Sequence, residues 1–199
     1  FELPPRNDRM SKMFSYLLLT RGIDKDVLYE FVRNKMIYES ADYHNAVFVG
    51  YDSNGKPRHA HKRGTVTNNP YKGNVAGSQP QYSFHWHGTS NKIFLFEAPI
   101  DMLSYISMHK DNWKSYSYAA SCSVSDRVLF QCLKDNSNIK NVFLCFDNDE
   151  AGQTANKRIA DKLNTMNIQN KILIPKHKDW NEDLKFAEEG DEKLCRQVL

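Results

Sequence analysis

The chain has no long apolar run. None approaches the roughly 20 residues that cross a bilayer, so no membrane partner is expected. The opening Phe1-Glu2-Leu3-Pro4-Pro5-Arg6 lacks the apolar core of a signal peptide, and it lacks an initiator Met, as expected of a segment of a longer protein. Cysteine is scarce. Cys122, Cys132, Cys145 and Cys195 are scattered without a C-x-x-C pair, which argues against a zinc site or a disulfide framework and fits a reducing cytoplasm. No G-x-x-x-x-G-K-[ST] is present, which excludes a P-loop NTPase. G-x-S-x-G is also absent, and no Ser or Cys stands in a nucleophile setting. The formal net charge of +3 is small; it permits a nucleic-acid partner without requiring one.

What is there suits a globular α/β protein. Its 199 residues make one large domain or two small ones. Residues 1–8 read as a linker. Ser11 to Thr20 has helical spacing and stops at Arg21-Gly22. Asp24 caps a second helix, Lys25 to Lys35. The pair reads as a packing unit or as a helix-turn-helix DNA reader. Asn45 to Tyr51 reads as a strand, Asp52-Ser-Asn-Gly55 as a hairpin turn, and Lys56 to Thr65 as the returning strand. That strand holds Lys56, Arg58, Lys62 and Arg63 in the densest basic stretch of the chain. It is either a solvated edge or a phosphate-contacting hairpin. Asn68 to Pro80 reads as a loop and as the boundary between residues 1–80 and 81–199. His85 and His87, two apart on a short strand, are either structural or a pair of metal ligands.

The second half alternates strand and helix. Strands are expected at 92–96, 116–120, 142–146 and 171–174. Helices are expected at Ile100 to His109, Ser125 to Leu133 with Ser125 and Asp126 as its cap, Glu150 to Met166 and Asn181 to Glu189. Such alternation implies parallel strands joined by right-handed crossovers. Ligands then bind beyond the carboxyl ends of the strands. One strand ends at Glu97, another at Asp147-Asn-Asp149, and a third is followed by Lys176, Lys178, Asp179, Asn181 and Asp183. Strand side chains two apart share a face, so Asp147 and Asp149 either converge on one cation or serve as turn and cap residues. An oxygen-only site of this kind suits Mg²⁺ or Mn²⁺ and metal-assisted phosphoryl transfer.

An acid after one strand and D-x-D after a later one, here Glu97 and Asp147-Asn-Asp-Glu-Ala-Gly152, resemble the TOPRIM family, and the D-x-D-x-A-G form is similar to its primase branch. Asn45 to Thr65, Ala120 to Ser125 and Lys178 to Asp183 fall where primases carry a basic hairpin, a small-residue loop and a Lys-Asp segment. The opening helices, with Tyr16-Leu-x-x-x-Arg21-Gly-Ile23, and Phe96-Glu-Ala-Pro-Ile-Asp-Met-Leu-Ser104 resemble TOPRIM proteins of bacterial plasmids and conjugative elements. Two departures stand out: Ala98-Pro99 follows Glu97 where primases have Gly, and the zinc module that engages template is missing.

The resemblance implies a TOPRIM-type, mainly parallel sheet preceded by a small α+β region. Its implied chemistry is Mg²⁺-dependent, primase-like nucleotidyl transfer in a mobile-element setting. A TOPRIM nuclease and a non-catalytic DNA-binding module of a larger mobilisation protein are the alternatives. A topoisomerase would need a nucleophilic Tyr from another domain. Glu97 would act as general acid/base or ligand, with Asp147 and Asp149 as metal ligands and Asp101 and Asp179 as secondary members. Arg58, Lys62 and Arg63 would contact phosphates. The implied partners are DNA, single-stranded or duplex, nucleotides, and other domains of a longer protein.

Overall fold

A computed structural model describes residues 1–66, 71–123 and 125–187. Cys195 and the end of the helix expected at Asn181 to Glu189 lie outside them; residues 180–187 are helical. The chain builds two sheets. The first is antiparallel in the order β1-β2-β3-β4, with β1 at Ile37–Glu39, β2 at Ala46–Tyr51, β3 at Pro57–Arg63 and β4 at Lys72–Asn74. The second runs β5-β7-β6-β8-β9, with β5 at His85–Trp86, β6 at Lys92–Phe96, β7 at Ser117–Ala120, β8 at Asn141–Cys145 and β9 at Gln169–Ile172. Strands β6 to β9 are parallel, and β5 is an antiparallel edge.

Local chemistry explains most elements. The hairpin turn is held by Asp52, whose Oδ1 accepts from the N–H groups of Asn54 and Lys56 at 3.0 Å, and Gly55 supplies the positive φ of 73°. Asp24 caps α2, Lys25–Arg33, by accepting from Asp26 and Val27. The first expected helix is one segment of two kinds: α1 at Ser11–Phe14, then a π-helical stretch at Ser15–Thr20. That stretch closes with the Arg21 N–H on the Tyr16 carbonyl at 3.0 Å.

Two expectations are corrected. Part of the expected loop 68–80 is strand β4, paired to β3 through His61–Asn74, Lys62–Gly73 and Arg63–Lys72. Its Gly and Asn content disguised an edge strand only three residues long. Asp126 does not cap α4, Arg127–Asp135, with its side chain; its carboxylate pairs with Lys162 at 3.0 Å, and the Ser125 hydroxyl accepts from the Arg127 N–H instead.

The central strands β6, β7 and β8 are buried on both faces and mostly apolar, with period 2 dividing the two cores, while the edge strand β9 is polar and mostly exposed. Phe94, Phe96, Tyr118 and Cys145 face α3, Pro99–Met108, and the N-terminal helices. Ile93, Leu95, Val142 and Leu144 face α4 and α5, Glu150–Thr165. Each such fully buried side chain contributes about 1.5–3 kcal/mol. Residues Met13 to Phe48 of the first region share the α3-side core, so the antiparallel sheet packs close to the rim of the parallel one. The chain runs from β6 to β7 in one direction and from β7 back across to β8 and β9 in the other. Beyond β6 and β8, therefore, α3 and α5 leave toward opposite faces and a crevice opens between them. This is the switch point where open α/β sheets bind ligands. No helix among the described residues is long and apolar enough to cross a membrane.

Candidate active site

The crevice beyond β6 and β8 holds a cleft of about 220 Å³. Its acidic wall comes from three strand ends. Glu97 directly follows β6. Asp101 sits in the first turn of α3, which Pro99 starts with its preset φ. Asp147 follows β8, and Asp179 comes from the segment after β9; all four line the cleft.

Asp147 has a buried oxygen, Oδ1, that no hydrogen-bond donor reaches. Burial, then the charges of Glu97, Asp179 and Asp149, push its carboxyl up to about 7, and Lys178 opposes them. Asp101 is buried and pushed far above the usual carboxylate range by burial and then by Asp147, although the Asn181 N–H donates to it. Glu97 is also raised, by burial and then by the charge of Asp149. Such mutual repulsion is relieved by protons or by a cation. An orphaned, buried carboxylate oxygen beside further carboxylates, with oxygen donors only, fits a hard divalent cation. Among the described residues no three His, Cys, Asp or Glu side chains stand close enough to cage an ion by themselves. That is compatible with Mg²⁺, which keeps waters and takes one or two protein carboxylates.

Asp149 stands apart. It is exposed, lies outside the cleft lining, and caps α5 by accepting the Gly152 N–H at 2.8 Å. Its charge still acts on Glu97. Gly152 is required by close approach: a methyl group there would collide with the Asp147 carbonyl oxygen. The D-x-D-x-A-G stretch is thus one device. The second Asp and the Gly together seat the turn that aims the first Asp.

The facing wall is basic and comes from the first region. Arg21, Arg63 and Lys72 line the same cleft as the acids. The Tyr16 hydroxyl accepts from both arginines, from Arg21 Nε at 2.9 Å and Arg63 Nε at 3.1 Å. Asn181 fixes Arg21 a second time, accepting from its Nη1 at 3.1 Å and donating to its carbonyl at 2.7 Å. Lys178 adds a cation from the acidic side. Of the three basic residues expected on β3, the fold brings only Arg63 to the cleft. Lys62 lies on the other side of the strand, 4.0 Å from Asp42. Arg58 sits at the far end, bound to Asp52 at 2.7 Å. Arg21 and Lys72 were not singled out by pattern, since one follows a helix end and the other lies in the Asn- and Gly-rich segment. His85 and His87 pack ring against ring, 4.6 Å between centroids, away from this cleft; His85 Nδ1 meets the Ser83 carbonyl.

Residues 94–184 match the Toprim-like family. Residues 15–90 match a family described as protein of unknown function, DUF3991. The chain is similar to the uncharacterized protein pXO2-78 of Bacillus anthracis, a pXO2 plasmid protein, at 25% identity over 207 residues covering 93% of this chain. It spans 60% of the length of that relative. Among solved structures, the primase fragment of the bacteriophage T7 primase-helicase protein superimposes with a TM-score of 0.64 at 21% identity, covering 92% of this chain and 74% of that one. The DnaG primase catalytic domain bound to single-stranded DNA gives 0.54 at 14% identity, over 92% of this chain and 62% of that one. Residues 94–184 and the antiparallel region before them therefore share the fold of these primase structures.

Proposed function

We propose that this chain is a divalent-metal-dependent, primase-like nucleotidyl-transfer unit acting on nucleic acid. The observation that carries the reading is the two-walled cleft: Asp101, Asp147 and Glu97 face Arg21, Arg63 and Lys72 across one small volume. A purely structural ion-pair network would have joined the two walls directly. Here the arginines rest on Tyr16 and Asn181, and Asp147 Oδ1 has no partner. Both walls are left to bind something between them, cation on one side and phosphate on the other.

Asp147 and Asp101 would hold Mg²⁺ or Mn²⁺, with Glu97 beside them. The ion would neutralise phosphate charge and help align the attacking and leaving oxygens. Arg21 and Arg63, pre-oriented by the shared Tyr16 hydroxyl, bind and orient phosphate oxygens. Lys72 on the basic wall and Lys178 on the acidic side add positive charge. Glu97, whose carboxyl is raised by burial and then by the charge of Asp149, would pass a proton to or from a hydroxyl at the reacting phosphate. The fold kinship with primase catalytic cores and the plasmid relative support nucleic acid as the substrate.

Incubation with single-stranded template, nucleoside triphosphates and Mg²⁺ tests this reading. Template-dependent oligomers that vanish in Asp147→Asn are the expected product. Shortened template instead would identify a nuclease using the same cleft. Salt-sensitive binding without either product would leave a DNA-binding module of a larger mobilisation protein.

A further inference from the structure

The antiparallel sheet carries a second hollow, apart from the acidic cleft, with a volume of about 580 Å³. It is lined by Tyr43, Asn45, Lys62, Thr65, Val66 and Tyr71. Three of the large apolar side chains left exposed among the described residues gather here: Tyr43 at 83% exposure, Val66 at 59% and Tyr71 at 45%. Folding alone gives no reason to hold two tyrosine faces and a valine in water around one hollow.

The rim is built to keep Tyr43 out. Tyr43 and His44 take successive positive φ angles of 55° and 53°, a conformation favoured by Asn and Gly and costly for a tyrosine. The turn is nonetheless pinned. His44 Nδ1 meets Glu39 Oε1 at 2.7 Å, and the Thr65 hydroxyl donates to the His44 carbonyl at 3.0 Å. On the other side, the Gly64 N–H donates to the Tyr71 carbonyl at 2.8 Å. Lys62 Nζ lies 5.5 Å from the centroid of the Tyr71 ring.

We propose that this hollow is a stacking site for unpaired bases of a single nucleic-acid strand, with Tyr43 and Tyr71 as the platforms and Lys62 as the cation for the adjoining phosphate. Charge and position choose this occupant. Flat aromatic faces beside a cation suit a base with its phosphate, and every base has a π-face to offer. Residues 62 and 63 are neighbours on β3, and Tyr71 directly precedes Lys72, the first residue of β4. Lys62 and Tyr71 line this hollow, while Arg63 and Lys72 line the acidic cleft. A strand crossing the β3–β4 edge would therefore reach from one site to the other. Duplex bases are already stacked and cannot enter. Stacking needs neither metal nor turnover, so the site stands whether or not the cleft is catalytic.

Fluorescence anisotropy with labelled oligothymidylate and oligouridylate, in EDTA, tests it. Tyr43→Ala and Tyr71→Ala should each weaken single-strand binding by on the order of tenfold, and Tyr→Phe at either position should restore it. An abasic oligomer of the same length should bind wild type and both Ala variants alike, since it offers phosphates only. Arg63→Ala should weaken the abasic and base-bearing oligomers together. Because Tyr43 and Tyr71 are exposed, their Ala variants should melt with wild type. Equal binding of base-bearing strand by wild type and both Ala variants would overturn the proposal. So would equal binding of abasic and base-bearing strand by wild type, or no single-strand binding at all. A loss confined to Arg63→Ala would leave the cleft reading intact and sink this one.

Discussion

Replacing Asp147 by Asn should stabilise the metal-free protein while removing its response to Mg²⁺. The Asp147 carboxyl is pushed from its ordinary 3.8 to about 7, by burial first and then by Glu97, Asp179 and Asp149. In the unfolded chain it ionises near its ordinary value. Between these two pH values the folded state holds a proton that the unfolded state has lost. The associated stability is present below about 3.8, falls as pH rises toward 7 and stays lost above it. At full burial that gap corresponds to roughly 4 kcal/mol. Asp147 keeps some solvent contact, and screening leaves about 2 kcal/mol. For a chain of this size that is about 4–8 °C in Tm. Asp101 titrates with Asp147 as a pair, so the transition should be broad. Thermal melts in EDTA at about pH 5 and about pH 8 should therefore separate. Wild type loses Tm at the higher pH, and Asp147→Asn loses much less. Saturating Mg²⁺ should restore wild type, by about 2.7 kcal/mol at a hundredfold excess over Kd, and leave the variant unmoved. Equal pH dependence in the two proteins, or equal stabilisation by Mg²⁺, would refute the reasoning.

Three further outcomes follow from the same geometry. Tyr16→Phe should keep its fold but lose the hydroxyl that seats Arg21 and Arg63; phosphate or nucleotide affinity, measured by calorimetry, should fall by about 2- to 10-fold. Gly152→Ala should force the Asp147 carbonyl to move, costing about 1–3 kcal/mol in denaturant unfolding and weakening Mg²⁺ binding with it. His59 is buried with neither ring nitrogen hydrogen-bonded, and burial lowers it to about 4. The unfolded state gains its proton first as pH falls, so stability drops from about pH 6.5 toward 4, and His59→Leu should remove up to roughly 3 kcal/mol of that drop in urea titrations at the two pH values.

The acidic rim was legible because the strands β6 and β8 that carry it are buried on both faces. Lys-Ile-Phe-Leu-Phe96 and Val-Phe-Leu-Cys-Phe146 are short apolar runs that end abruptly at acids. The expected strand 92–96 coincides with β6, while β8 begins one residue earlier than expected. Asp149 was ambiguous between ligand and cap, and the structure uses its carboxylate as a cap. Asp101 was harder to weigh. Its position at the start of α3 reads as an ordinary acidic first turn, and its burial comes from the first region closing over α3, a long-range contact with no local signature. Arg21 and Lys72 were hidden for the same reason. The division between Lys62 and Arg63, by contrast, was available from period 2 alone, since neighbours on a strand take opposite faces. Strands β1 and β4 are too short, at three residues each, for any pattern to declare itself.

Electron paramagnetic resonance of Mn²⁺, titrated with and without a nucleoside triphosphate, tests the two-walled cleft most directly. Wild type should bind Mn²⁺ weakly alone and more tightly with the triphosphate. Asp147→Asn should lose the bound-Mn²⁺ signal in both conditions, and Arg63→Ala should lose only the tightening. Unchanged Mn²⁺ binding in Asp147→Asn, or a triphosphate effect that survives in Arg63→Ala, would contradict the account.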